Sequence, residues 1–252
     1  MFNIITAAAA FGLLIGSFLN VVAIRLLKKE SIVYPPSHCV HCSHPLKPAD
    51  LVPVFSYIWL RGKCRYCRGL ISPLYPFGEL LTALLFGLMA WRFGWTPELV
   101  PALLFVSVCA VAVLTDIREM IIPNTVVGFG IAAIIILRIW IHPLPWWDYA
   151  LAFFLGSGIL YLFCLASKGG IGGGDIKLYA FIGIALGSQL TLLSLFLASL
   201  FGTLYGVGLI AAGRFRKGMA VPFGPFIVTG AVIALIWGEA LFHEYWKLFS
   251  SV

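Results

Sequence analysis

Met1–Ile24 runs for 24 residues without an Asp, Glu, Lys or Arg. Leu99–Thr115, Met120–Leu137, Tyr149–Ser167, Leu178–Gly213 and Gly218–Gly238 are likewise free of charge. Apolar runs this long point to a bilayer, where unpaired backbone groups are so costly that a span must be a helix or a closed barrel. Leu178–Gly213, at 36 residues, exceeds one crossing of about 20 residues. Gly187-Ser188-Gln189 divides it. Pro73–Trp91 adds an apolar stretch with a single acid, Glu79. The pattern predicts eight helices over 4–26, 74–91, 99–116, 121–140, 149–167, 175–187, 190–212 and 222–242. The expected fold class is an all-α polytopic membrane protein of about eight transmembrane helices. Composition agrees: charged residues are 11% and mean hydropathy is +1.01, against about 25% charged in an ordinary soluble domain. A soluble globular enzyme, a disordered tail and a secreted disulfide scaffold are all excluded. The first segment has no basic residue before Arg25 and no evident small-residue cleavage site, so it reads as a permanent anchor rather than a cleavable signal.

Charge placement sets the orientation. With eight spans and the N-terminus outside, 14 of the 17 Lys and Arg fall on inner connections, leaving Arg92, Arg138 and Lys247 outside. Six of the ten acids are inside, so the inner side carries +8 and the outer side −1. This is the positive-inside bias. The net charge of +7 is therefore topogenic, and no nucleic-acid partner is needed to explain it. The lipid bilayer is the expected surrounding. Residues 27–73 form the only sizeable polar connection, and it is cytosolic.

That connection contains Cys39-x-x-Cys42 and Cys64-x-x-Cys67, with 21 residues between the pairs. Two such pairs match a zinc ribbon, slightly beyond its usual spacing. Soft thiolates in tetrahedral array suit Zn²⁺, and flanking His38, His41, His44, Lys63, Arg65 and Arg68 favour the thiolate form. Two disulfides are disfavoured in a reducing cytosol. A 47-residue loop has little core of its own, so a structural metal at Cys39, Cys42, Cys64 and Cys67 would supply its fold. The histidines read as solvated loop residues. Cys109 and Cys164 lie within apolar helices and read as small buried hydrophobes.

Ionisable groups at membrane depth are functional candidates. Three carboxylates qualify: Glu79, Asp116 in VLTDIREMIIPN and Asp175 in IGGGDIKLYAFIG. The charge count puts both aspartates at the cytosolic face, where they can face one another across a bundle. Two carboxylates sharing a site do not both ionise cheaply, which provides an acid and a base at one pH. Such a pair can activate water and protonate a leaving amine. Gly169–Gly174 holds five glycines in six residues, a segment on which an extended peptide could lie main chain to main chain. It is equally a flexible turn before a helix, with Asp175 complementing the dipole. Arg118 and Lys177 lie two residues from an aspartate and do not share its helix face. Glu79 either pairs with a base of the cytosolic loop, a structural role, or contacts a cofactor. Gly12, Gly16 and Asn20 recur every four residues and read as a helix-packing stripe. Pro222-Phe223-Gly224-Pro225-Phe226 opens the last helix. Trp146-Trp147 reads as an outer interfacial anchor.

In order along the chain stand GSFLNVVAIRL, the paired C-x-x-C loop, YPFGELLTALLF, LTDIREMIIPN, GGGDIK and PFGPFIVTGA. Together these segments resemble the bifunctional type IV prepilin leader peptidase and N-methyltransferase family over nearly the whole chain. The resemblance implies a GxGD-type aspartic peptidase with Asp116 and Asp175 catalytic, Gly172 and Gly174 substrate-binding, and Cys39, Cys42, Cys64 and Cys67 zinc-binding. It implies prepilin or pseudopilin substrates from a pilus, secretion or competence system. It further implies leader cleavage at the cytosolic face of the bacterial inner membrane, and methylation of the new amine from S-adenosylmethionine, with Glu79 a candidate contact for that cofactor. The expected organisation is a first transmembrane helix over 1–26, a zinc-binding loop over 27–73 and a peptidase domain of about seven helices over 74–252. The chain departs from the family at Ala49–Pro53, which reads ADLVP where many members carry W-x-N-x-P. The alternatives are a peptidase without methyltransferase activity, a cation-coupled transporter, which should show inverted halves, and a non-catalytic zinc-ribbon scaffold.

Overall fold

Every predicted apolar stretch folds as a helix in the computed structural model, which describes residues 2–167, 170–214 and 220–250. Lys168, Gly169, Arg216 and Lys217, used in the charge and glycine arguments, lie outside the described residues. The helices are α1 (Phe2–Lys28), α2 (Phe55–Trp59), α3 (Leu74–Phe93), α4 (Leu99–Glu119), α5 (Asn124–Trp140), α6 (Trp146–Ala166), α7 (Gly173–Leu186), α8 (Ser188–Ala211) and α9 (Gly224–Ser250). Six of them (α1, α3, α4, α6, α8 and α9) are long and apolar enough to cross a membrane. The helices predicted over 121–140 and 175–187 are shorter than a standard span, at 17 residues for α5 and 14 for α7. Pro123 delays the start of α5 to Asn124. Gly187, at φ 80°, ends α7 and starts α8 in the turn that the sequence predicts. At 1.5 Å per residue α7 is about 21 Å long, short of a hydrocarbon core of about 30 Å. It is instead enclosed by protein, with Leu178–Leu186 buried without interruption. The chain divides into two units, Met1–Thr115 and Asp116–Val252.

In the first unit α1 lies against α3, and the small-residue stripe is the reason. A Cβ on Gly12 would stand 2.8 Å from Ala83 Cα, and one on Gly16 2.8 Å from Glu79 Cα. Any larger side chain would force the backbones apart. Asn20, 1% exposed, donates to the Tyr75 carbonyl at 2.9 Å. At the end of α1, buried Arg25 donates to the carbonyls of Ser31, Ile32 and Pro35 and folds the start of the loop over the helix.

In the second unit glycines again set helix contacts. Gly156 meets the Tyr179 carbonyl, Gly183 meets Ala152, and Gly230 meets the backbone of Ser194 and Ala198. A polar latch ties the helix ends together. Asp148 accepts the Ser188 N–H at 2.9 Å and the Ser188 hydroxyl. Arg138 donates to the Ala185 carbonyl and stacks over Tyr149 at 5.1 Å.

Candidate metal centre and candidate active site

The two C-x-x-C segments fold into a repeated knuckle. Cys39 N–H donates to the His44 carbonyl (3.0 Å) and Ser43 N–H to the Cys39 carbonyl (2.9 Å). In the second knuckle Cys64 N–H donates to the Gly69 carbonyl (2.8 Å) and Arg68 N–H to the Cys64 carbonyl (3.0 Å). Ser43 and Arg68 hold matching positive φ values of 56° and 61°, and His38–Pro45 and Lys63–Leu70 form matching bridges. Every one of these positions recurs 25 residues later, as 39 does at 64 and 42 at 67. The four Sγ atoms lie within 4.8 Å of one another, and Cys39 and Cys67 are 3.8 Å apart. A tetrahedral ion with S–metal bonds of about 2.3 Å has S···S edges of about 3.8 Å, so the donor set fits one such ion. Burial opposes ionisation of Cys39, yet the backbone N–H groups of Cys42 and His41, with the thiols of Cys64 and Cys42, bring it down to about 6. At Cys67 the Gly69 backbone favours the thiolate, but burial and the three neighbouring thiols prevail and push it up to about 11. A bound cation would hold all four sulfurs as thiolates.

The histidines stay outside the cluster. His41 Nε2 contacts the Leu70 carbonyl at 3.1 Å, His38 Nδ1 contacts the Pro36 carbonyl at 3.0 Å, and His44 stacks on Tyr66 with centroids 3.7 Å apart. Asp50 secures the stretch between the knuckles, accepting from Arg65 Nε at 2.6 Å and from the Lys47 N–H at 3.2 Å. Glu79, 8% exposed, accepts the Val54 N–H at 2.7 Å. It braces the loop through a backbone donor and not through a basic side chain.

In the second unit α4 and α7 deliver the two aspartates. Asp116 sits in the last turn of α4, 5% exposed, and its Oδ2 accepts the Gly224 N–H at 2.7 Å. Gly224 is the first residue of α9, where backbone N–H groups have no helical partner and the dipole favours an anion. A Cβ on Gly224 would stand 2.8 Å from that oxygen, so only glycine permits this approach. Asp175 is the third residue of α7, half-buried, and its carboxylate interacts with the backbone N–H of Gly172 at the N-cap. That return contact is half of a capping box. The turn geometry expected of an N-terminal aspartate is thus present, and the same turn aims it at a partner. Asp175 lies within Coulombic reach of Asp116. Gly172 and Gly173 are exposed beside it, whereas a Cβ on Gly174 would stand 3.0 Å from Ile122 Cβ. Gly172 therefore borders the open side of the pair, and Gly174 lets α7 pack close. Lys177 donates to Asn124 Oδ1 at 2.8 Å.

Sequence reasoning missed Gly224. Its sequence signal was present in the Pro-Phe-Gly-Pro opening of α9, but its contact lies 108 residues away.

A polytopic helical chain with a four-cysteine knuckle pair and two aspartates within Coulombic reach defines a membrane-embedded class of protein, and comparison narrows it. Residues 10–93 match the model of the bacterial peptidase A24 N-terminal domain, and residues 103–207 match that of the type IV leader peptidase family. A Bacillus subtilis protein named prepilin leader peptidase/N-methyltransferase is 39% identical over 240 residues, covering 94% of this chain and 96% of its own. Proteins of the same name from Pseudomonas putida (33% identical, 97% and 94% covered) and Neisseria gonorrhoeae (33%, 90% and 88%) are similar over comparable lengths. No solved structure matches the chain. The chain belongs to the type IV leader peptidase family. None of the alternatives (a peptidase without methyltransferase activity, a transporter or a scaffold) is favoured by these relatives.

Proposed function

We propose that this chain is a prepilin leader peptidase that removes the leader of type IV prepilins or pseudopilins and N-methylates the exposed amine. The observation that carries the peptidase reading is that Asp116 and Asp175, 59 residues apart in sequence, lie within Coulombic reach of one another beside the exposed Gly172. One carboxylate takes a proton from water as its oxygen attacks the scissile carbonyl, and the other delivers a proton to the departing amine nitrogen. The C–N bond breaks, leaving a carboxylate on the leader and an amine on the pilin. The substrate main chain lies along Gly172 and its neighbours. The cut takes place at the cytosolic face of the inner membrane, supported by the 14-to-3 split of basic residues.

The four cysteines hold one Zn²⁺, which closes the 27–73 loop and takes no part in the cut. The reading keeps three parts: the first transmembrane helix (1–26), this loop, and the peptidase domain over 74–252. Methylation draws on S-adenosylmethionine, which supplies the transferable methyl group. Support for it comes from the names of the relatives. Glu79, the cofactor candidate, already spends one oxygen on Val54, and no step is assigned to it.

The test is to incubate the purified chain in detergent with a prepilin and S-adenosylmethionine and weigh the product. Loss of the leader followed by gain of one methyl mass is expected. An intact prepilin would overturn the peptidase reading, and a cleaved but never methylated product would leave a peptidase alone.

A further inference from the structure

The cytosolic loop carries an apolar face that the metal cluster does not use. Phe55, Ile58 and Trp59 stand at i, i+3 and i+4 on α2 and so share one side of the helix. They are 69%, 65% and 83% exposed. Three large apolar side chains turned outward from a small polar loop need a partner.

The loop's own bracing fixes their level. Val54, immediately before α2, donates to Glu79, which is the sixth residue of α3. Five residues at 1.5 Å place Glu79 about 7.5 Å along α3 from its cytosolic start. The same Glu79 lies against Gly16 of α1, and α1 continues a further 12 residues to Lys28, about 18 Å toward the cytosol. The chain thus descends from the knuckles alongside the two spans, and α2 begins beside them, not above them. Directly after the apolar face come exposed Arg61 and Lys63.

We propose that α2 is a membrane foot: Phe55, Ile58 and Trp59 insert into the headgroup–acyl boundary beside α3, and Arg61 and Lys63 contact lipid phosphates. An aromatic-rich apolar face followed by basic residues is what this boundary selects. The Glu79–Val54 bond holds the face at the required depth, and the foot gives the metal loop a fixed attitude to the bilayer. The inference does not depend on the peptidase reading.

The test uses the full chain labelled with 5-fluorotryptophan in nanodiscs of phosphatidylcholine and phosphatidylglycerol. The chain has eight tryptophans, and the ¹⁹F resonance missing from Trp59→Phe identifies the one of interest. A nitroxide carried by lipid near the headgroup should broaden that resonance, while a water-soluble gadolinium chelate should leave most of its intensity. The converse, broadening by the chelate and none by the lipid nitroxide, would place Trp59 in water and overturn the proposal. Insensitivity to both, or protection from the chelate only after a prepilin is added, would assign the face to protein and overturn it equally. As a second reading, Phe55→Ser/Ile58→Ser/Trp59→Ser should retain the metal content of the parent while its loop becomes several-fold faster to cut by protease in nanodiscs. Unchanged cutting would count against the foot.

Discussion

Replacing Gly224 with alanine adds a single methyl group directly against the Asp116 carboxylate, where there is no room for it. The new Cβ would stand 2.8 Å from Asp116 Oδ2, 3.0 Å from its Cβ and 3.1 Å from its Cγ. Rotating the carboxylate relieves the first contact but not the second, because the Asp116 Cβ is fixed to α4. The start of α9 or the end of α4 must withdraw by a few tenths of an ångström, and the 2.7 Å bond from the Gly224 N–H lengthens. Hydrogen bonds to charged groups contribute about 1.5–3 kcal/mol, so losing this one should slow cleavage about 10- to 150-fold. Gly224 acts on the carboxylate and not on substrate, so kcat should fall with KM nearly unchanged. The assay is leader cleavage by purified protein, followed by mass, with the detergent melting temperature as the folding control. Gly128→Ala is the matched control, since a Cβ there meets nothing within 4 Å. If Gly224→Ala cleaved within about threefold of the parent, a difference below about 0.7 kcal/mol, the Gly224 bond would not be what positions Asp116.

Three further outcomes are expected. Asp116→Asn and Asp175→Asn should each abolish cleavage, beyond the roughly 10²–10⁴-fold worth of one proton-transfer role, while the protein stays folded and inserted; a variant keeping a tenth of the activity would refute the pair. Cys64→Ser should lower the bound zinc from one ion per chain, measured by elemental analysis, and a metal-free parent of full activity would remove zinc from the account. Burial works against ionising Asp50, but the Arg65 guanidinium with the Lys47 N–H and Tyr66 hydroxyl outweighs it and holds the carboxyl below the usual range. Its contribution is complete above the ordinary value of about 3.9 and fades as pH falls through the lower folded value. Loop proteolysis of the parent and of Asp50→Asn should therefore differ at neutral pH and converge in strong acid.

The helices were legible because a bilayer leaves an apolar backbone almost no other choice. The knuckles were legible because metal-ligand spacing is local. Gly12, Gly16 and Asn20 disclosed a packing stripe on α1, though not its partner α3, for the same reason, since a four-residue period is a property of one helix. What stayed hidden depends on pairings between distant segments. Gly224 meeting Asp116, Ser188 meeting Asp148 and Val54 meeting Glu79 have no period to betray them. The setting of α7 was not legible: its 14 residues match the expected length, but composition alone does not separate a helix sheathed in protein from one sheathed in lipid.

The division of residues between the two units carries a last consequence. Asp116, Asp175, Gly172 and Gly224 all belong to Asp116–Val252, whereas the four cysteines, Val54 and Glu79 belong to Met1–Thr115. Each set is held by bonds within its own unit: the aspartates by Gly224 and Gly172, the loop by the knuckle bonds and the Glu79 brace. Removing a zinc ligand therefore takes away none of these bonds to the aspartates. If the chain also methylates, the 27–73 loop, the only sizeable polar connection in the sequence, is the element expected to help hold a methyl donor. Cys64→Ser and Glu79→Gln should then lose methylation before cleavage, and the shortened pilin should accumulate without the added methyl mass. The measurement is the ratio of cleaved to cleaved-and-methylated product across a time course with the donor in excess. Should Cys64→Ser abolish both steps while the rest of the protein keeps its melting temperature, the loop would be part of the peptidase machinery and the separation argued from the two units would fail. Should the parent itself cleave without methylating, the altered Ala49–Pro53 stretch, which lies between the knuckles and leads into α2, is the first segment to restore.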